Sequence, residues 1–218
     1  MVENNINRRN FLNQLTKSFI TLSCGGLLLN ANGCEEKETR SYLLKPNIKS
    51  TATLTKIDEC IDEIIKNYKS SNAIIGENAT KNDTAGANDL RQNLEARVKL
   101  KYGNQASFSK DFIKFDKDVM NDPFSTNKIV IGQETNNLLT DLLRDNLSTK
   151  DRIIPPDTCV IEGYDFGNKG IVITSNNEFL TYVGCLIIGV HFKYKLDARQ
   201  IYLVNDGKGS YMLIPNIK

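Results

Sequence analysis

The spacing of apolar residues changes near residue 158, and the change splits the chain into a helical part and a strand-rich part. Upstream, Leu54, Ile57, Ile61, Ile64 and Tyr68 recur at three- and four-residue steps. That spacing predicts a helix over 55–68, opened by Thr55 and Asp58 as a capping box. A second helix is expected over 89–102. Asp89 and Gln92 open it, Glu95 and Lys99 stand one turn apart, and Gly103 stops it. Phe108, Phe112, Phe115 and Val119 would line one face of a third helix over 109–121, ended by Pro123. Residues 69–88 are rich in Ser, Asn, Thr, Gly and Ala and read as a long loop. Lys128–Gly132 reads as a short strand. A helix over 135–147 follows, with Leu138, Leu139, Leu142, Leu143 and Leu147 as its apolar stripe.

Beyond Pro155 and Pro156 the period becomes two. Strands are expected at 159–164, 171–175, 178–183, 185–194, 200–205 and 211–214, with turns at Asn176-Asn177 and at 206–209. Such short connections make neighbouring strands antiparallel. The expected fold class is α+β: an N-terminal signal and linker, several helices, then a C-terminal antiparallel meander of about five or six strands packed on the Leu-rich helix. The corresponding division is an export signal at 1–33, a tether at 34–53 and a single α+β domain at 54–218. Within that domain, 54–122 is helical and 128–218 is β-rich.

The segment from Gly132 onward, with its phrase Asp165-Phe166-Gly167-Asn168-Lys169-Gly170-Ile171-Val172-Ile173-Thr174, resembles the bacterial pleckstrin-homology-like domains. There a Gly-rich turn enters a strand ahead of a hairpin. The resemblance covers under half the chain and implies a strand-rich architecture only.

The first residues carry a different kind of signal. Arg8 and Arg9, one spacer, then Phe11 and Leu12 resemble the core of the twin-arginine (Tat) export motif of bacteria. An apolar run over 18–29 follows, too short to span a membrane, and no acidic residue lies between Glu3 and Glu35. Ala31 and Gly33 are small, as a cleavage site requires, and Cys34 comes next. This order resembles a lipoprotein precursor, which implies acylation of the Cys34 thiol and a membrane held through it. In such a signal the paired arginines are an address read by a receptor and carry no chemistry.

Charge narrows the partners. The chain has formal charge +2, and residues 1–33 hold Arg8, Arg9 and Lys17 against Glu3. The remainder is formally neutral and lacks the basic footprint that a phosphate backbone demands, so nucleic acid is not an expected partner. An envelope protein partner is consistent with this balance.

Chemistry is sparse. Five cysteines occur, at 24, 34, 60, 159 and 185, with no Cys-x-x-Cys pair and a single histidine, His191. A multi-histidine metal site is therefore excluded, and no metal or cofactor is expected. Phosphate-loop, dinucleotide-fingerprint and nucleophile-elbow motifs are missing. Cys159 and Cys185 could form a disulfide in an oxidising compartment, or could be buried free thiols. If Cys185 and His191 share the expected strand they are about 20 Å apart at the usual rise, too far to form a dyad. Cys159 or Cys60 could instead meet His191 across the fold, with Asp206 or Asn205 orienting the imidazole.

The leading expectation is an exported, lipid-anchored cell-envelope protein acting as a non-enzymatic binding module. One alternative is an envelope cysteine-dependent hydrolase using His191. The other is a cytoplasmic protein whose first residues are no signal.

Overall fold

The computed structural model describes residues 52–147, 154–190, 197–205 and 211–216. The signal residues Arg8, Arg9, Phe11 and Leu12, the lipidation candidate Cys34, and His191 and Asp206 lie outside them. Among the described residues the chain is an α+β structure built on one mixed eight-stranded sheet. In chain order the elements are β1 (Thr53–Leu54), α1 (Ile57–Lys66), β2 (Asn72–Ile75), α2 (Lys81–Tyr102), β3 (Ile113–Phe115), α3 (Asp116–Val119), β4 (Lys128–Ile131), α4 (Leu138–Asn146), β5 (Thr158–Asp165), β6 (Lys169–Ser175), α5 (Glu178–Val190), β7 (Gln200–Asn205) and β8 (Tyr211–Asn216).

The sheet order is β3-β2-β4-β6-β5-β7-β8, with β1 pairing to β5 beyond the point where β7 ends. The strands β3, β2, β4 and β6 are mutually parallel, while β5, β7 and β8 pair antiparallel. This corrects the expected meander: only its β5–β6 hairpin and the β7–β8 pair are antiparallel neighbours in sequence. Parallel pairing needs a crossover connection, and α2 supplies the one between β2 and β3.

The sheet buries both faces, and residue parity assigns the sides. Ala73 and Ile75, Ile129 and Ile131, Cys159 and Ile161, Ile171 and Ile173, and Ile201 and Leu203 join α1, α2 and α5 in the larger core. Ile74, Val130, Val172 and Tyr164 join α4 in the smaller one, with Leu139, Leu142, Leu143 and Leu147.

α1 follows the expected period, burying Ile57, Cys60, Ile61, Ile64 and Ile65. Its expected capping box is not formed: Lys56 is the N-cap without a side-chain bond, and Thr55 donates to Glu59 instead. Residues 69–88 are not a loop throughout. They contain β2, central and buried at all four positions, and the start of α2. The capping box of α2 is Thr80 with Asp83, not Asp89 with Gln92. The expected Glu95–Lys99 pair is present at 3.0 Å, and Gly103 closes the helix at φ +95°.

The expected helix over 109–121 is instead β3 followed by the single turn α3. Phe108 and Phe112 still reach the core, as a tilted ring pair at 4.3 Å.

The largest correction is α5. Residues 178–190 were expected as parts of two strands, and they form one helix. Asn177 sets it up, its side-chain oxygen accepting from the Phe179 amide and its carbonyl from the Leu180 amide. The reason is burial on several sides: α5 lies between the sheet and α2, so it is apolar all round and its period vanishes. Small residues allow the approach. A Cβ on Gly184 would lie 2.7 Å from Ile173 and 2.8 Å from the Cys159 sulfur, and one on Gly86 would lie 3.0 Å from the Cys185 sulfur. The tether also ends earlier than expected, since Ala52 bridges to Leu147 and β1 joins the sheet.

Candidate functional site

Open sheets with parallel strands place ligands beyond the strand carboxyl ends, where successive connections leave on opposite faces. Here that point lies between β2 and β4, because α2 leaves toward the larger core and α4 toward the smaller. The residues there act as struts. Asn137 donates to the carbonyls of Ile74 and Ile131, while its oxygen accepts from the Leu139 and Thr140 amides. It thereby ties both strands to the start of α4. Asp116 accepts from the amides of Glu77, Lys117 and Leu138. Asn136 donates to Asp83 at 3.1 Å, leaving one oxygen of each buried without a partner among the described residues. Backbone from the β4–α4 loop fills the crevice: the Asn136 carbonyl oxygen would lie only 1.6 Å from a Cβ on Gly76.

The cysteine candidates are placed by the sheet and helices. Cys60, Cys159 and Cys185 are all buried free thiols. Burial pushes the Cys60 thiol up to about 12 and raises the Cys159 and Cys185 thiols well above their ordinary value. A nucleophile must be exposed enough to meet substrate and must reach the thiolate, and none of the three does either. Cys159 sits on β5 beneath Gly184, and Cys185 on α5 against Gly86. The strand that was to carry Cys185 and His191 is replaced by α5 as far as Val190. In the native protein the three thiols should react with an aromatic disulfide reagent far more slowly than after denaturation. Prompt native labelling of any one of them would contradict this placement.

Under α4 lies a buried charged group. Arg144 pairs with Glu162 at 3.4 Å and with Glu134, and the two buried side chains are 6% and 2% exposed. Gln200 donates to the other Glu162 oxygen, and Tyr202 donates to Gln200. Burial raises the Glu162 carboxyl above its usual value, with Arg144 and Gln200 opposing. All these groups engage one another across β5, β7 and α4, which reads as an internal tie.

An open concavity lies between α1 and α2. Asp62, Ile65, Arg97, Leu100 and Lys101 line a cavity of about 330 Å³. Arg97 stands beside the buried stripe of α2, next to Leu94 and Val98, and its Nη1 is buried without a hydrogen-bond partner among the described residues. Desolvation holds that guanidinium below its ordinary value, against the attraction of Asp62 and Asp58. Leu100 is 81% exposed beside it. Lys101 makes no ion pair among the described residues and stands 5.5 Å from the Tyr102 ring centroid. The neighbouring lysines are engaged, Lys66 by Glu63 and Lys99 by Glu95.

Sequence reasoning singled out none of these groove residues. The available signal was an arginine adjacent to the Leu90, Leu94, Val98 stripe with an apolar Leu100 on the polar side. Among the described residues no group of three or more His, Cys, Asp or Glu side chains could hold a metal ion, and no helix is long and apolar enough to cross a membrane.

No protein-family model and no curated protein matches the chain.

Proposed function

We propose that the chain is an exported, lipid-anchored cell-envelope protein that works as a non-enzymatic binding module. The observation that carries the export half is the order of features at the start of the sequence: the Arg8-Arg9 pair with Phe11-Leu12, an apolar run, Ala31 and Gly33, then Cys34. The binding half is supported by the groove between α1 and α2, where a guanidinium nitrogen without a partner among the described residues lies beside exposed apolar surface. Buried thiols weaken the hydrolase alternative, because each would have to be uncovered and ionised before attack. The envelope membrane is then the first partner, reached through the Cys34 thioether.

Intact mass and cell fractionation test the reading. Wild type is compared with Arg8→Lys/Arg9→Lys and with Cys34→Ala. The expected wild-type product is membrane-bound and begins at acylated Cys34. Replacing the arginine pair should leave the precursor uncleaved inside the cell, and Cys34→Ala should abolish acylation. A full-length soluble protein, unchanged by either replacement, would overturn the proposal and favour the cytoplasmic alternative.

A further inference from the structure

We infer that the groove between α1 and α2 binds a small monocarboxylic acid with an apolar body. The inference rests on the binding-module reading and names its ligand class. Three observations point to it.

The first is the Arg97 guanidinium, which lines the groove and whose Nη1 has no acceptor among the described residues. Buried guanidinium N–H groups are strong donors, and a carboxylate oxygen is their best-matched acceptor. The second is the balance of charge around the groove. Arg97 and Lys101 supply two cations, and Lys101 is not neutralised by an ion pair among the described residues. Asp62 lines the same groove, and Asp58 also acts on Arg97. Two cations against two carboxylates leave no surplus to hold a phosphate dianion, so a single negative charge suits the groove better. The third is the wall. Ile65 and the exposed Leu100 offer apolar surface beside the cations, which an alkyl or aryl group covers and an inorganic anion does not.

Size agrees. The cavity of about 330 Å³ sits at the small end of ligand pockets. It holds the volume of roughly ten liquid waters, the bulk of a medium-chain acid. A concavity of that size fits one small molecule, not a lipid surface.

The full-length protein is titrated calorimetrically with octanoate, with octanol as the uncharged control and octylamine as the cationic one. Octanoate should bind, and octanol and octylamine should bind at least about tenfold more weakly, since one charge-assisted hydrogen bond accounts for that factor. Arg97→Gln should weaken octanoate by about tenfold or more while leaving octanol unchanged. Circular dichroism confirms the fold, and should Arg97→Gln not fold, Lys101→Gln at an exposed position should weaken octanoate alone by a few-fold.

Equal affinity for octanoate and octanol would overturn the inference, as would octanoate binding indifferent to both substitutions. So would recruitment to phosphatidylcholine vesicles carrying phosphatidylglycerol that octanoate fails to compete, because the face would then read a surface. Failure here and failure of export separate cleanly. A cytosolic, unprocessed chain that binds octanoate through Arg97 supports the groove without export. An acylated, membrane-bound chain with no octanoate response overturns the groove alone.

Discussion

Gly76→Ala is expected to cost about 4 kcal/mol or more, or to prevent folding, the largest effect of any single methyl group added to the described residues. The reason is where the new carbon would have to sit. It would lie 1.6 Å from the Asn136 carbonyl oxygen, 2.5 Å from that carbonyl carbon and 3.0 Å from the Asn137 Cα. All three are backbone atoms, so no rotamer change relieves the clash. Moving them is not cheap either. Asn137 holds both strand ends and the first turn of α4, and the adjoining Leu138 amide is held by Asp116. Displacing the loop breaks this set of bonds together. Gly86→Ala is the informative comparison. Its nearest new neighbours are the Cys185 sulfur at 3.0 Å and the Tyr182 Cα at 3.3 Å, which α5 could relieve by sliding a few tenths of an ångström. Its expected cost is about 1–3 kcal/mol. Urea unfolding of both variants checks the order. A Gly76→Ala protein as stable as wild type would mean that the β4–α4 loop does not close the strand ends as described.

Arg144→Met is expected to destabilise by about 3–5 kcal/mol, because it leaves the Glu162 carboxylate buried without its cation. The double change Arg144→Met/Glu162→Leu should recover most of that loss, since a buried ion pair and an apolar pair of similar volume are often close in stability. The pH dependence gives a second, independent reading. Desolvation raises the Glu162 carboxyl above its ordinary 4.5, and the attraction of Arg144 lowers it again only in part. The folded protein therefore holds this proton more tightly than the unfolded chain. The resulting stabilisation is complete below about 4.5 and is lost as pH rises through the folded value. Removing Arg144 takes away the opposing attraction and raises the folded value further. Arg144→Met should thus lose stability more steeply than wild type between acid and neutral pH, and Arg144→Met/Glu162→Gln should not. Denaturant midpoints measured across that range decide it, and parallel profiles for all three proteins would show that Glu162 is not buried as charged.

Elements that bury one face were legible from the sequence. α1 shows Ile57, Ile61 and Ile64 against Asp58, Asp62 and Glu63, and α4 shows its leucine stripe against Asp141 and Asp145. β7 was read to its residue bounds, and β5, β6 and β8 to within one or two residues at each end. Two elements buried on both faces were not. β2 is central, buried at all four positions, and embedded in a stretch of Ser, Asn and Gly that looks like loop. α5 shows no polar face because sheet and α2 cover it on both sides. The first turns of α2 were missed because Gly86 and Ala87 meet a neighbouring helix closely through smallness and leave no apolar stripe to see.

The groove was equally hidden. Arg97 reads as an ordinary helical cation, and only the placement of α1 against α2 removes water from its guanidinium.

By itself, then, the sequence settled the quantities that composition and local period control: an α+β class, helices with one apolar stripe, several short apolar strands, and three cysteines after the Cys34 position without metal spacing. Tertiary structure decided strand direction and neighbours. Ala73 pairs with Ile129 and Ile129 with Ile171 through backbone amides and carbonyls that are the same for every residue type. No side-chain pattern encodes those partners. They are chosen by which crossover helices can cover the two faces, and that choice also buries the thiols and leaves Arg97 facing an open groove.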